Sequence, residues 1–79
     1  MQQFIETMTL NETVRRLRLL GVSTTETKVA NAIQAGLYPW GICIPGRKHM
    51  CYEIYTKLFE KWVDERATEV MTESYHEGG

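Results

Sequence analysis

The stretch TLNETVRRLRLLGVSTTETKVANAIQAG, Thr9 to Gly36, decides how this chain is read. Glu12 stands three residues after Thr9, the spacing of a capping box, in which a hydroxyl and a carboxylate satisfy backbone N–H groups at a helix start. Leu10, Val14, Leu17 and Leu20 follow at helical spacing. Gly21 then supplies a stop. Ser23-Thr24-Thr25-Glu26 repeats the box, Val29, Ala30 and Ile33 form a second apolar face, and Gly36 closes it. The pattern predicts two helices, the first over Leu10 to Leu20, with only Gly21-Val22-Ser23 between them. Two helices across so short a turn, with glycine at its first position, make a helix-turn-helix candidate. The second helix is expected to expose Thr24, Thr25, Thr27, Lys28, Asn31 and Gln34.

Downstream the period changes. Trp40 to Ile44 and Met50 to Tyr55 are rich in aromatic and β-branched residues, and Pro45-Gly46-Arg47-Lys48-His49 lies between them. This reads as a β-hairpin with a basic tip. Alternation puts Met50, Tyr52 and Ile54 on the inner face and Cys51, Glu53 and Tyr55 on the outer. Leu37 and Trp40 are expected to pack under the second helix and set the angle at which the hairpin leaves it. Tyr38 is expected beside them, its hydroxyl free to face outward. Thr56 is placed to cap a third helix running to about Met71, with Leu58, Phe59, Trp62, Val63 and Val70 as its apolar set. Upstream, Phe4 and Ile5 suggest that part of the arm folds back as a short strand. The expected organisation is an arm over 1–8, one domain over 9–71 and a flexible tail over 72–79. The expected fold class is mainly α with a small β-hairpin, in the helix, turn, helix, hairpin, helix order of a small winged helix-turn-helix.

Seventy-nine residues make one domain at most. Such a chain buries roughly 60% of its unfolded surface, so the core is small. No run is long enough and apolar enough for a membrane span, and Met1 to Leu10 lacks the pattern of a signal peptide. A cytoplasmic protein is expected, its two cysteines reduced. The net charge of −1 hides an asymmetry. Residues 1–57 carry seven basic against four acidic residues, and residues 58–79 two basic against six acidic. A basic body with an acidic C-terminal segment is compatible with nucleic-acid binding.

Catalysis has no visible constellation. His49 and His76 stand far apart, and no nucleophile, base and orienting group are nominated together. The expectation is no enzyme activity, no cofactor and no small-molecule substrate. Cys43, His49 and Cys51 sit near one another along the hairpin, but three ligands fall short of a closed zinc site. The cysteines, nearly opposite across the strands, read as filler. Nucleic-acid chemistry uses more of the residues. Lys28 has the reach to donate to guanine O6 and N7, and Asn31 or Gln34 to pair bidentately with adenine. The Ser23 to Thr25 region offers backbone N–H groups to a phosphate. Arg47, Lys48 and His49 form a tip able to follow a neighbouring backbone or minor groove. Arg15, Arg16 and Arg18 either line flanking phosphates, as a first helix often does, or form an ordinary solvated face.

Ala32-Ile33-Gln34-Ala35-Gly36-Leu37-Tyr38-Pro39-Trp40-Gly41, followed by a wing and Tyr52-Glu53-Ile54-Tyr55, resembles the small excisionase-like, MerR-related winged-helix proteins of Gram-positive phages and integrative elements. The resemblance spans roughly residues 9–64 and is most specific over QAGLYPWG. It implies double-stranded DNA binding through the second helix and the wing. The role implied is a directionality factor for a recombinase (an integrase partner) or a small transcription regulator. It puts groove reading on Thr25, Thr27, Lys28 and Asn31, and the wing role on Arg47 and Lys48. The first helix is longer and richer in arginine than that pattern, and the net charge is slightly negative. A monomer with few phosphate contacts binds weakly and with strong salt dependence, so a homodimer or cooperative assembly on DNA is expected. The rival expectation is a protein-binding inhibitor built on the same scaffold, using the acidic helix from Leu58 with Tyr55 and Tyr75.

Overall fold

The computed structural model describes residues 2–68. Its elements, in chain order, are β1 (Thr7–Met8), α1 (Leu10–Leu19), α2 (Glu26–Gln34), β2 (Gly41–Pro45), β3 (Met50–Tyr55) and α3 (Thr56–Arg66). The strands form one antiparallel sheet in the order β1-β3-β2. The unit is therefore mixed α/β, with a third strand where the sequence suggested a two-stranded hairpin.

That third strand comes from the arm. Thr7 pairs with Tyr55 and Met8 with Ile54, and the Thr56 amide donates to the Glu6 carbonyl at 3.1 Å. The sequence placed the returning segment at Phe4 and Ile5, yet both project into solvent, 83% and 77% exposed. Pairing stops before them because β3 ends where α3 begins.

Helix α1 starts as its cap dictates. The Thr9 hydroxyl accepts from the Glu12 amide at 3.1 Å. Glu12 does not reach back to complete the box; its carboxylate turns to Arg15 and Arg16. Both α1 and α2 end the same way. Gly21 and Gly36 take φ of +93° and +75°, and the residue after each glycine donates back five positions, Val22 to Leu17 and Leu37 to Ala32. This Schellman geometry is open to glycine at low cost because it needs a left-handed residue after the last turn.

The start of α2 differs from the sequence reading. Thr25, not Ser23, is the cap: its backbone is extended and its hydroxyl accepts from the Lys28 amide at 3.2 Å. The cause is Thr24, which is buried and whose carbonyl accepts from Arg18 Nε at 3.0 Å. That anchor holds the chain extended until Thr25. The connection consequently runs from Leu20 to Thr25, longer than the three residues expected. Leu20, outside the last helical turn, leaves the apolar stripe and stands 51% exposed.

The core comprises Val14 and Leu17 of α1, Val29 and Ile33 of α2, Trp40, Ile54 of β3 and Phe59 of α3. Trp40 has no exposed surface and stacks on Tyr38 at 4.4 Å between centroids, with the edges of Phe59 and Trp62 on its other sides. Leu37, expected beside Trp40, is instead 71% exposed. The Gly36 turn throws it outward, and Tyr38 takes the wedge position. Gly41 packs closely, since a Cβ there would lie 3.0 Å from Ile33 Cδ1 and the isoleucine would have to shift by a few tenths of an ångström.

Helix α3 follows β3 without a side-chain cap. Thr56 is its first residue and is buried, so it does not cap as expected. Thr56, Phe59 and Val63 share the inward face. Leu58 falls off that face and is half-exposed, although the sequence counted it with the core set. The helix ends at Arg66 because Ala67 is extended, short of the expected Met71. Val70, Met71 and the expected tail lie outside the described residues.

Candidate nucleic-acid interface

Helix α2 is amphipathic in the required sense. Val29 and Ile33 are buried, while Thr27, Lys28, Asn31 and Gln34 lie exposed on the opposite side at helical spacing. The exposed set divides by what each side chain already does. Gln34 Nε2 donates to the Tyr52 hydroxyl at 2.5 Å, tying the last turn of α2 to β3. Thr25 is spent as the cap. Thr24, expected on the exposed face, is buried instead, its carbonyl held by Arg18. Thr27, Lys28 and Asn31 have no side-chain hydrogen bond among the described residues.

The arginines of α1 divide as well. Glu12 is three and four positions before Arg15 and Arg16 and takes both. Arg15 makes two bonds to it at 3.0 and 2.7 Å, and Arg16 one at 2.8 Å. These bonds, Arg15's first, hold the Glu12 carboxyl down to about 2 and raise the Arg15 guanidinium above its ordinary value. Arg16 also approaches Glu60 at 3.8 Å. Arg18 differs. Its Nε donates to the Thr24 carbonyl, and it has no carboxylate partner among the described residues. With Lys28 it flanks an open cleft of about 620 Å³, whose wall is the chain from Gly21 to Thr25. Two cations and the start of a helix thus border one open hollow, a setting suited to an anion.

The hairpin projects the second group. Residues pair from Gly41 with Ile54 to Pro45 with Met50, and the Gly46 amide donates to the His49 carbonyl at 3.1 Å to close the tip. A Cβ on Gly46 would collide with that carbonyl oxygen, so the tip has room only for glycine. Arg47, Lys48 and His49 are exposed on it, with no ion pair among the described residues. The register also separates the cysteines. Cys43 faces Tyr52 and Cys51 faces Ile44, so the two thiols project to opposite sides of the sheet. That corrects the near-opposite placement suggested by the sequence. Among the described residues no three of His, Cys, Asp and Glu come together as a metal-binding group.

On the outer face, the Tyr55 hydroxyl donates to Glu53 at 2.8 Å, and this bond pushes the phenol above its ordinary range. Tyr75 and His76 lie outside the described residues. Two contributors escaped the sequence reading. Tyr52 clips α2 to the sheet, and no local spacing reveals a pair so far apart. Glu12 engages two arginines, and here the spacing of three and four was visible. Among the described residues no helix is long and apolar enough to cross a membrane.

A small mixed α/β unit carrying a polar helix face, a cationic cleft and a basic hairpin tip is the arrangement to be explained. Comparison with protein-family models, curated proteins and solved structures finds no match for this chain.

Proposed function

We propose that this chain is a winged helix-turn-helix DNA-binding protein, with α2 as the helix that enters the major groove and the β2–β3 hairpin as the wing. The role that fits is a recombination directionality factor or a small transcription regulator of phage or mobile-element type. One observation carries the reading: the uncommitted polar residues of α2, Thr27, Lys28 and Asn31, adjoin the Arg18–Lys28 cleft, and the next exposed cations along the chain are those of the hairpin tip. Lys28 would donate to guanine and Asn31 pair with adenine, while Thr27 offers a methyl to thymine. Arg18 would hold a phosphate at the cleft, and Arg47 and Lys48 would follow the backbone beyond it. Gln34 positions the helix end through Tyr52. Arg15, already paired with Glu12, contributes less than its exposure suggests.

Unbiased selection of bound duplex DNA tests this. Wild-type protein should enrich a short motif, and Lys28→Ala should cost about 1–3 kcal/mol at one position of it while relaxing preference there. Absence of any enriched motif, together with a host protein captured after nuclease treatment, would favour a protein-binding inhibitor instead.

A further inference from the structure

A groove runs between α1 and α3, with a volume of about 300 Å³. Its floor is Phe59 and Val63, and one lip is Leu19 and Leu20, which are 74% and 51% exposed. No residue of α2 or of the hairpin lines it. Its polar walls carry opposite charge: Arg16 on α1, Glu60 and Asp64 on α3.

We propose that this groove is the seam of a homodimer, in which the Leu19–Leu20 ridge of each copy lies in the groove of the other about a twofold axis. An isologous contact requires a surface that is complementary to itself, so ridge and recess must sit side by side on one face. Here they do. The charges obey the same condition. A twofold axis through the groove turns the acidic wall of one copy towards the basic wall of its partner. Arg16 already meets Glu12 at 2.8 Å and Glu60 at 3.8 Å within its own chain. One carboxylate shared by Arg15 and Arg16 still leaves that wall net positive, and Asp64, which has no ion pair among the described residues, then faces it from the second copy. A second copy of this chain meets both the apolar recess and the charge pattern, and it leaves α2 and the hairpin clear. The inference adds to the DNA reading without depending on it.

Sedimentation equilibrium of the full chain, without DNA, tests the proposal. Wild type should sediment at about twice its 9.2 kDa mass, at concentrations of tens of micromolar, roughly the range of a modest interface. Leu20→Glu should sediment as a monomer with an unchanged far-ultraviolet spectrum, since Leu20 lies outside the core. Asp64→Lys should weaken association about tenfold by setting like charges against each other. Leu37→Glu, at a still more exposed leucine outside the groove, should leave the dimer intact. The proposal is overturned by a monomeric wild type, by a dimer that survives Leu20→Glu, or by equal loss in Leu37→Glu. A monomer that melts lower when Leu20 becomes Glu also overturns it, because the chain's own residues then fill the groove. As no DNA is present, these results stand whether or not α2 reads DNA.

Discussion

Removing both cations at the hairpin tip, Arg47→Ala with Lys48→Ala, should change how DNA binding responds to salt more than it changes the fold. Both side chains are exposed and have no ion pair among the described residues, so their loss leaves the core untouched. On the proposed reading the cations that would face phosphate are Arg18, Arg47 and Lys48, because Glu12 engages Arg15 and Arg16. Each phosphate neutralised contributes about −0.9 to the slope of log affinity against log salt. Three contacts give a slope of about −2.7, so raising salt from 50 to 200 mM should weaken wild type by about 40-fold. The double variant keeps one contact, with a slope of about −0.9 and a loss of about 3.5-fold over the same range. Fluorescence anisotropy with a labelled duplex, repeated across that salt range, measures both slopes. An unchanged slope in the variant would refute the wing assignment, even if overall affinity fell.

Other substitutions separate the site from the scaffold. Glu12→Gln frees Arg15, while Arg16 stays beside Glu60, so binding to random duplex should strengthen at low salt and the slope steepen by about one contact, read in the same assay. The Glu12 carboxyl is held below its unfolded value, so its contribution is complete above about pH 4.5 and is lost as pH falls towards 2. Thermal melts should accordingly show a shallower acid limb for Glu12→Gln than for wild type. Gly46→Ala forces a Cβ against the His49 carbonyl, which should cost about 1–3 kcal/mol and disorder the tip; urea titration gives the first and the salt slope the second. Trp40→Ala empties the aromatic core and should cost about 3–5 kcal/mol, a large share of the stability of so small a domain. Leu37→Ala should cost under about 0.5 kcal/mol by the same urea titration.

Legibility in the sequence followed the range of the interaction. The Thr9 cap and the two glycine stops came through because each is settled within one helical turn. Hairpin alternation came through at the base, where Ile54 is buried and Glu53 exposed, but Met50, expected on the inner face, stands 46% exposed at the tip end, beyond the reach of the core. The second cap was misplaced because Arg18 anchors the Thr24 carbonyl from another helix, so two good capping candidates were decided by a tertiary contact. Thr56 has a residue type that caps, yet the chain enters α3 directly from β3 with its amide already taken by Glu6. Leu37 looked like core because it is apolar, but a left-handed turn immediately before it sets the direction. At the site, exposure on α2 was legible from periodicity. Which of those side chains were already occupied was not, because Gln34 and Tyr52 lie far apart in sequence.

The two-residue strand β1 bears on the order in which the molecule assembles. The α1–α2 pair and the β2–β3 hairpin join neighbours along the chain, whereas β1 must find β3 from the opposite end of the domain. Closing that loop costs roughly 3 kcal/mol in chain entropy, too much for so short a ladder to recover before β3 exists. Docking of the arm is therefore a late event, and it is the event that covers the junction where β3 turns into α3. The same span can peel away without the rest unfolding. The Thr56 amide, held by Glu6, then exchanges with solvent through local opening, while the neighbouring Tyr55 amide, held by the Trp40 carbonyl just before β2, is expected to exchange only when the open end of the hairpin parts.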